Sequence, residues 1–169
     1  MILQIHCLNL DMALIIKNNI LRNARFSNDK KHRYKLSRHW DLNKPQLLYI
    51  MLNPSIGNET IDDPTIRRLV SFTRKFDCGG FFVGNLFTYI TPNPKKLDTS
   101  IGLTIKNLNV LTNLVSKVDK VIYAWGNYIE EPGELKKFIS NPMCFGKNIN
   151  GTPKHPLYLP SDSKLLRFR

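Results

Sequence analysis

Three polar residues stand where apolar runs of the chain end: Asn53 in "LLYIMLNPSI", Asn85 in "VGNLF" and His155 in "GTPKHPLYL". Asn53 has a local explanation, because an asparagine leaving a strand can close an Asx turn before a proline. Asn85 is harder to place. A carboxamide inside an apolar strand leaves a donor and an acceptor in a dry environment unless something hydrogen-bonds them, whether neighbouring backbone or a ligand's edge. His155 lies between Pro153 and Pro156, which stiffen its loop. Asp62 and Asp63 open a helical pattern, where Asp63 serves as a cap and Asp62 is a secondary catalytic candidate. There is no HxxH, HxH or acidic cluster, so neither a metal nor a cofactor is expected.

The surrounding elements must bring these residues together. "QLLYIML" (46–52) is a continuous apolar run, which predicts a central strand. "IDDPTIRRLVSFTRKF" predicts a helix capped by Asp63, with Pro64 in its first position and Ile66, Leu69, Val70 and Phe72 or Thr73 facing inward. "GFFVGNLFTYI" and "KVIYAWG" predict two further core strands. Between them, "IGLTIKNLNVLTNLVSKV" has helical period, with Ile105, Leu108, Leu111, Leu114 and Val115 on one stripe. "KKHRYKLSRHWDL" (30–42) alternates basic and apolar residues, as an edge strand with one wet face would. "EPGELKKFIS" predicts a short helix, and "HPLYLP" a short strand or extended segment. Strands alternating with helices imply a three-layer α/β/α sandwich around a mostly parallel sheet. Ligands of such sheets bind at the carboxyl ends of strands, where Asn53, Asn85 and Gly126 emerge and His155 occupies a fourth loop.

A chain of 169 residues forms one domain on this reading and buries roughly 70% of its unfolded surface. Residues 1–11 are expected to be a dispensable extension, since Met12 starts an equally sensible register. That segment is too short and too interrupted for a membrane span and lacks the basic start of a signal peptide. Three separated cysteines suit a reducing cytoplasm and exclude a four-cysteine iron–sulfur site. The net charge of +12 is crowded into Lys17–Lys44 and Lys136–Arg169. It points to a polyanionic partner, with a merely solvated basic surface as the alternative.

The order "LNPS", "GNLFTYITPNP", "VIYAWG", "HPLYL" resembles the uracil-DNA glycosylase superfamily. Six motifs between about Phe26 and Pro160 ("RYKLSRHWD", "MLNPS", "DDPTIRR", "NLF", "AWG", "HPLYLP") look more closely like an uncharacterised bacterial and phage family, read as a distant branch of that superfamily. Asn53 stands where many members have a water-activating aspartate, and Leu157 where a serine often follows His-Pro. The resemblance implies a glycosylase-type fold and cleavage of the N-glycosidic bond of a damaged or modified base flipped out of DNA. Asn53 would position water, with Asp62 as a second catalytic group. His155 would stabilise the departing base, and Asn85, with Pro54 and Ser55, would bind it. Arg33, Lys35, Arg38, Arg67 and Lys154 would hold phosphates of DNA rather than RNA. Two other readings stay open: a silent nucleic-acid or nucleotide-binding module, and a phage or host-conflict protein that acts through protein contacts.

Overall fold

A computed structural model describes residues 15–169; the proposed extension 1–11, and Cys7 within it, lie outside the described residues. The chain opens with a meander of β1 (Ile15–Lys17), β2 (Ile20–Phe26) and β3 (Arg33–His39). It continues through β4 (Gln46–Met51), α1 (Pro64–Lys75), β5 (Gly80–Asn85), α2 (Ile105–Val115) and β6 (Lys120–Tyr123). A one-turn helix α3 (Gly133–Lys136) and short strands β7 (Met143–Cys144) and β8 (Leu166–Arg167) complete it.

All eight strands form one sheet in the order β1-β2-β3-β5-β4-β6-β7-β8. Only the β5-β4-β6-β7 centre is parallel; the other four of the seven pairings are antiparallel. The expected mostly parallel three-layer α/β/α sandwich of glycosylase type is therefore overturned. The sheet is mixed, and the described residues contain three α-helices, one of them a single turn. The physical reason lies at the N-terminus, where a segment read as one edge strand is the inner strand of an antiparallel meander. β2 pairs along its outer side and β5 along its inner side, so β3 has no wet edge.

The centre follows from its composition. Leu47 to Ile50 are fully buried because each face of β4 meets a different apolar layer. Leu47, Tyr49 and Met51 pack with Leu69 and Phe72 of α1, while Leu48 and Ile50 pack with Leu111 and Leu114 of α2. α1 starts as its residues dictate: Asp63 Oδ1 accepts the Ile66 N–H at 2.9 Å and Pro64 takes the first position. Val70 is the exception on its stripe and is only half-buried.

α2 keeps Leu111 and Leu114 of the expected stripe buried, but its first turn departs from it. Ile105 is 79% exposed and Asn107 is buried instead. Asn107 Nδ2 donates to the carbonyls of Asn85 and Leu86 at 2.7 and 3.0 Å, satisfying oxygens at the end of β5. "HPLYLP" also departs from expectation. Pro156–Tyr158 form a 3₁₀ turn, and the terminal strand is β8, paired antiparallel to β7. No helix among the described residues is long and apolar enough to cross a membrane.

Candidate functional site

The three parallel strands β4, β5 and β6 end on one side of the molecule, and a crevice of about 800 Å³ opens there. Asn53, Asn85 and His155 all line it, although they come from three different segments. Its walls include the start of α1, Trp125, Tyr128 and Tyr158.

Asn53 is held by its donor side. Nδ2 donates to the carbonyls of Pro54 and Thr91, at 2.9 and 2.7 Å. Both amide hydrogens are spent on backbone, so Oδ1 is the atom it offers to the crevice as an acceptor. Pro54 is buried and joins this staple through its own carbonyl, which also accepts the Thr91 N–H. Ser55 lines the crevice.

His155 is held the opposite way. It precedes the 3₁₀ turn, and its Nδ1 accepts the Leu157 N–H at 3.2 Å. A neutral ring that accepts at Nδ1 carries its proton at Nε2, so the crevice meets an N–H donor. Burial pushes the imidazole down to about 4, against the opposing pull of Asp63, so the ring is neutral at physiological pH. Gly126 (φ +84°) follows β6 by three residues, and a side chain there would lie against the His155 Cβ.

Asn85 is 1% exposed and sits in the floor. Its Oδ1 accepts a long hydrogen bond, 3.5 Å, from Arg33 Nη2, and its Nδ2 has no partner. Arg33, expected to hold phosphates of the DNA backbone, is 2% exposed and lines the same crevice, with Nη1 donating to the Gly57 carbonyl at 2.5 Å. A bulge explains its aim. Arg25 pairs with Lys35 and Phe26 with Arg33, so Tyr34 is an extra residue in β3. The bulge turns Arg33 to the α1 face, with Leu36 and Asn85, while Tyr34 meets Lys106 of α2.

Arg38, expected to hold phosphates as well, has no exposed surface to offer one. It is fully buried, and with Arg22 it clamps Asp62 at 2.7 and 2.6 Å. The same two arginines donate to the carbonyls of Asn58 and Glu59, so the cluster fastens the loop between β4 and α1. Asp62 is thus a fastening and lies outside the crevice lining. Burial opposes its charge, but the two guanidiniums outweigh that and hold it below the usual carboxylate range. Lys35 is half-buried, whereas Arg67 and Lys154 are exposed and Lys154 stands on the crevice wall.

Gly57 was not singled out from the sequence. Its N–H donates to Asp63 Oδ2 at 3.2 Å while its carbonyl accepts from Arg33, and a Cβ would press on both side chains. Asp63, with one oxygen on Gly57 and the other on Ile66, is a committed cap. Cys78 and Cys144 are free and buried. Among the described residues no group of three or more His, Cys, Asp or Glu could hold a metal ion.

The model of one family, described as "Protein of unknown function (DUF1643)", matches residues 33–157. The chain belongs to this family. The DUF1643 match begins at Arg33 and takes in His155, so Arg33, Asn53, Asp63, Asn85 and His155 all fall inside it. It agrees with the expectation of an uncharacterised domain family and carries no link to uracil-DNA glycosylases. Neither curated proteins nor solved structures give a match.

Proposed function

We propose that this DUF1643 protein binds a nucleobase in the crevice and hydrolyses its N-glycosidic bond, acting on a damaged or modified base in DNA. The observation that carries the reading is a neutral imidazole donor, His155 Nε2–H, in one crevice with a fixed acceptor, Asn53 Oδ1. Cleavage of a glycosidic bond leaves negative charge on the departing base. A fixed neutral donor favours that charge without first having to give up a proton. Asn53 Oδ1 would orient a water toward the sugar, the water's proton passing to the departed base anion, and Asn85 Nδ2 would donate to a carbonyl of the base. Tyr128 and Tyr158, both exposed, supply rings on which an extruded base could stack. Lys154 at the crevice and the exposed Arg67 are the cations placed for phosphates. A distant relationship to the uracil-DNA glycosylases is part of this proposal, on the motifs and the site chemistry rather than on the fold. So is a reducing, cytoplasmic setting for the free thiols.

One observation favours a second reading, a binding module that does no chemistry. The crevice's carboxylate, Asp63, has both oxygens committed to backbone N–H groups, which leaves no general base. The deciding experiment is single-turnover incubation of the protein with duplex and single-stranded oligonucleotides bearing candidate lesions, followed by alkali cleavage. Base release that is lost in His155→Ala supports hydrolysis. Binding without release from any substrate leaves the module.

A further inference from the structure

The guanidinium of Arg33 is a buried charge with no counter-ion. It is 2% exposed, and among the described residues it makes no ion pair. Its acceptors are one backbone carbonyl and one amide oxygen, and its Nε has none. Asp63 is the carboxylate whose charge reaches it, but both Asp63 oxygens already serve N–H groups and Gly57 is interposed. Arg38 adds a second positive charge from behind. A buried cation left in this condition is costly, since desolvation is not offset by a partner. Directly beside it is a second unsatisfied donor, Asn85 Nδ2, 1% exposed and in the same crevice lining. Two adjacent donor groups, one of them charged, lie in the floor of an open crevice. Arg33 Nε and Asn85 Nδ2 each lack an acceptor, and both atoms are fully buried.

We infer that the floor of the crevice is an anion subsite, in which Arg33 and Asn85 Nδ2 together hold a negatively charged oxygen of the ligand. The bulge at Tyr34 supports this, because it is the irregularity that turns a strand arginine inward to that place. Two ligands share this chemistry. One is a heterocycle whose ring oxygen carries charge, and that source rests on the base-release reading above. The other is a phosphate group, which does not depend on it.

The test is calorimetric titration of the full chain with three probes: barbiturate, a pyrimidine ring that is anionic at neutral pH; uracil, a neutral ring of similar size; and inorganic phosphate. One of the two anions should bind more tightly than uracil, and Arg33→Met should weaken it tenfold or more and weaken uracil by less. Preference for barbiturate identifies the charged heterocycle, and preference for phosphate identifies the phosphoryl group. Equal binding of anions and uracil, no binding of either anion, or anion binding unchanged in R33M overturns the subsite. If R33M does not fold, Asn85→Asp decides, because it places a carboxylate beside Arg33. It should raise the thermal midpoint and abolish anion binding; a lowered midpoint, or binding that survives, overturns the inference. Base release is read separately. A protein that binds anions through Arg33 but frees no base keeps this subsite and loses the hydrolase, and one that frees base with no anion preference does the reverse.

Discussion

His155 Nδ1 accepts the Leu157 N–H at 3.2 Å, and that contact decides which face of the imidazole meets the crevice. The ring is an acceptor toward its own loop and a donor toward any ligand. Its protonation is displaced to about 4 from an ordinary 6.5 by burial. The unfolded chain therefore takes up a proton as pH falls through 6.5, while the folded chain refuses it until about 4. Stability contributed by the neutral ring is complete above that window and is lost on descending through it. Urea midpoints measured at pH 7 and pH 5 should fall more for the native protein than for His155→Gln.

The same geometry sets an expectation for activity. His155→Ala should slow base release on the order of 100-fold or more while DNA binding is retained, as for loss of one placed oxyanion donor. His155 itself should impose no acid limb on the rate between pH 5 and 8, because its proton count does not change there. A rate that falls with a midpoint near neutrality in the native protein and not in His155→Gln would contradict the neutral-donor role.

Asn53→Asp has an outcome that the resemblance alone would not suggest. An aspartate would match the faster glycosylases, but Asn53 Nδ2 donates to two carbonyls, and a carboxylate would face both oxygens without a donor. The expected result is a loss of about 1–3 kcal/mol at neutral pH. A raised carboxylate pKa follows, so the loss should shrink as pH falls and the folded state takes up the proton. Chemical denaturation of N53D at pH 7.5 and pH 5 checks the sign.

Asp62 should behave as a fastening. Asp62→Asn leaves Arg22 and Arg38, both nearly inaccessible, without their counter-ion. Breaking such a buried cluster costs about 3 kcal/mol or more. Melting temperature should drop, while base release per folded molecule stays close to native because the residue does not line the crevice. A large rate loss in protein that remains fully folded would return Asp62 to the catalytic set.

Nucleic-acid binding should depend on the exposed cations. Neutralising Lys154 and Arg67 together should weaken DNA binding with little regard to sequence, and each lost phosphate contact should reduce the salt slope by about 1. Arg38→Gln should instead unfold the loop it clamps. Filter binding across a salt series separates the two behaviours.

Much of the site is legible in the chain. Continuous apolar runs identify β4, β5 and β6, and Asp63-Pro64 marks the start of α1. Parallel strands that run side by side must end on one side, which is why Asn53, Asn85 and the loop of His155 meet. What local pattern cannot contain is pairing between distant segments. The place of β3 between β2 and β5 buries Arg38 in a segment whose alternation reads as a wet edge. A single extra residue, Tyr34, reverses the face that Arg33 presents, and the bulge exists only relative to its partner strand. Asn107 is buried because β5 ends with carbonyls that need a donor, although its own helix's period favours Ile105. Residue type and spacing determine which segments become strands and where they stop, because those depend on neighbours in the chain. The fates of Arg33, Arg38 and Asp62 were settled by contacts across 20 to 52 residues, where charges find partners or are left without them.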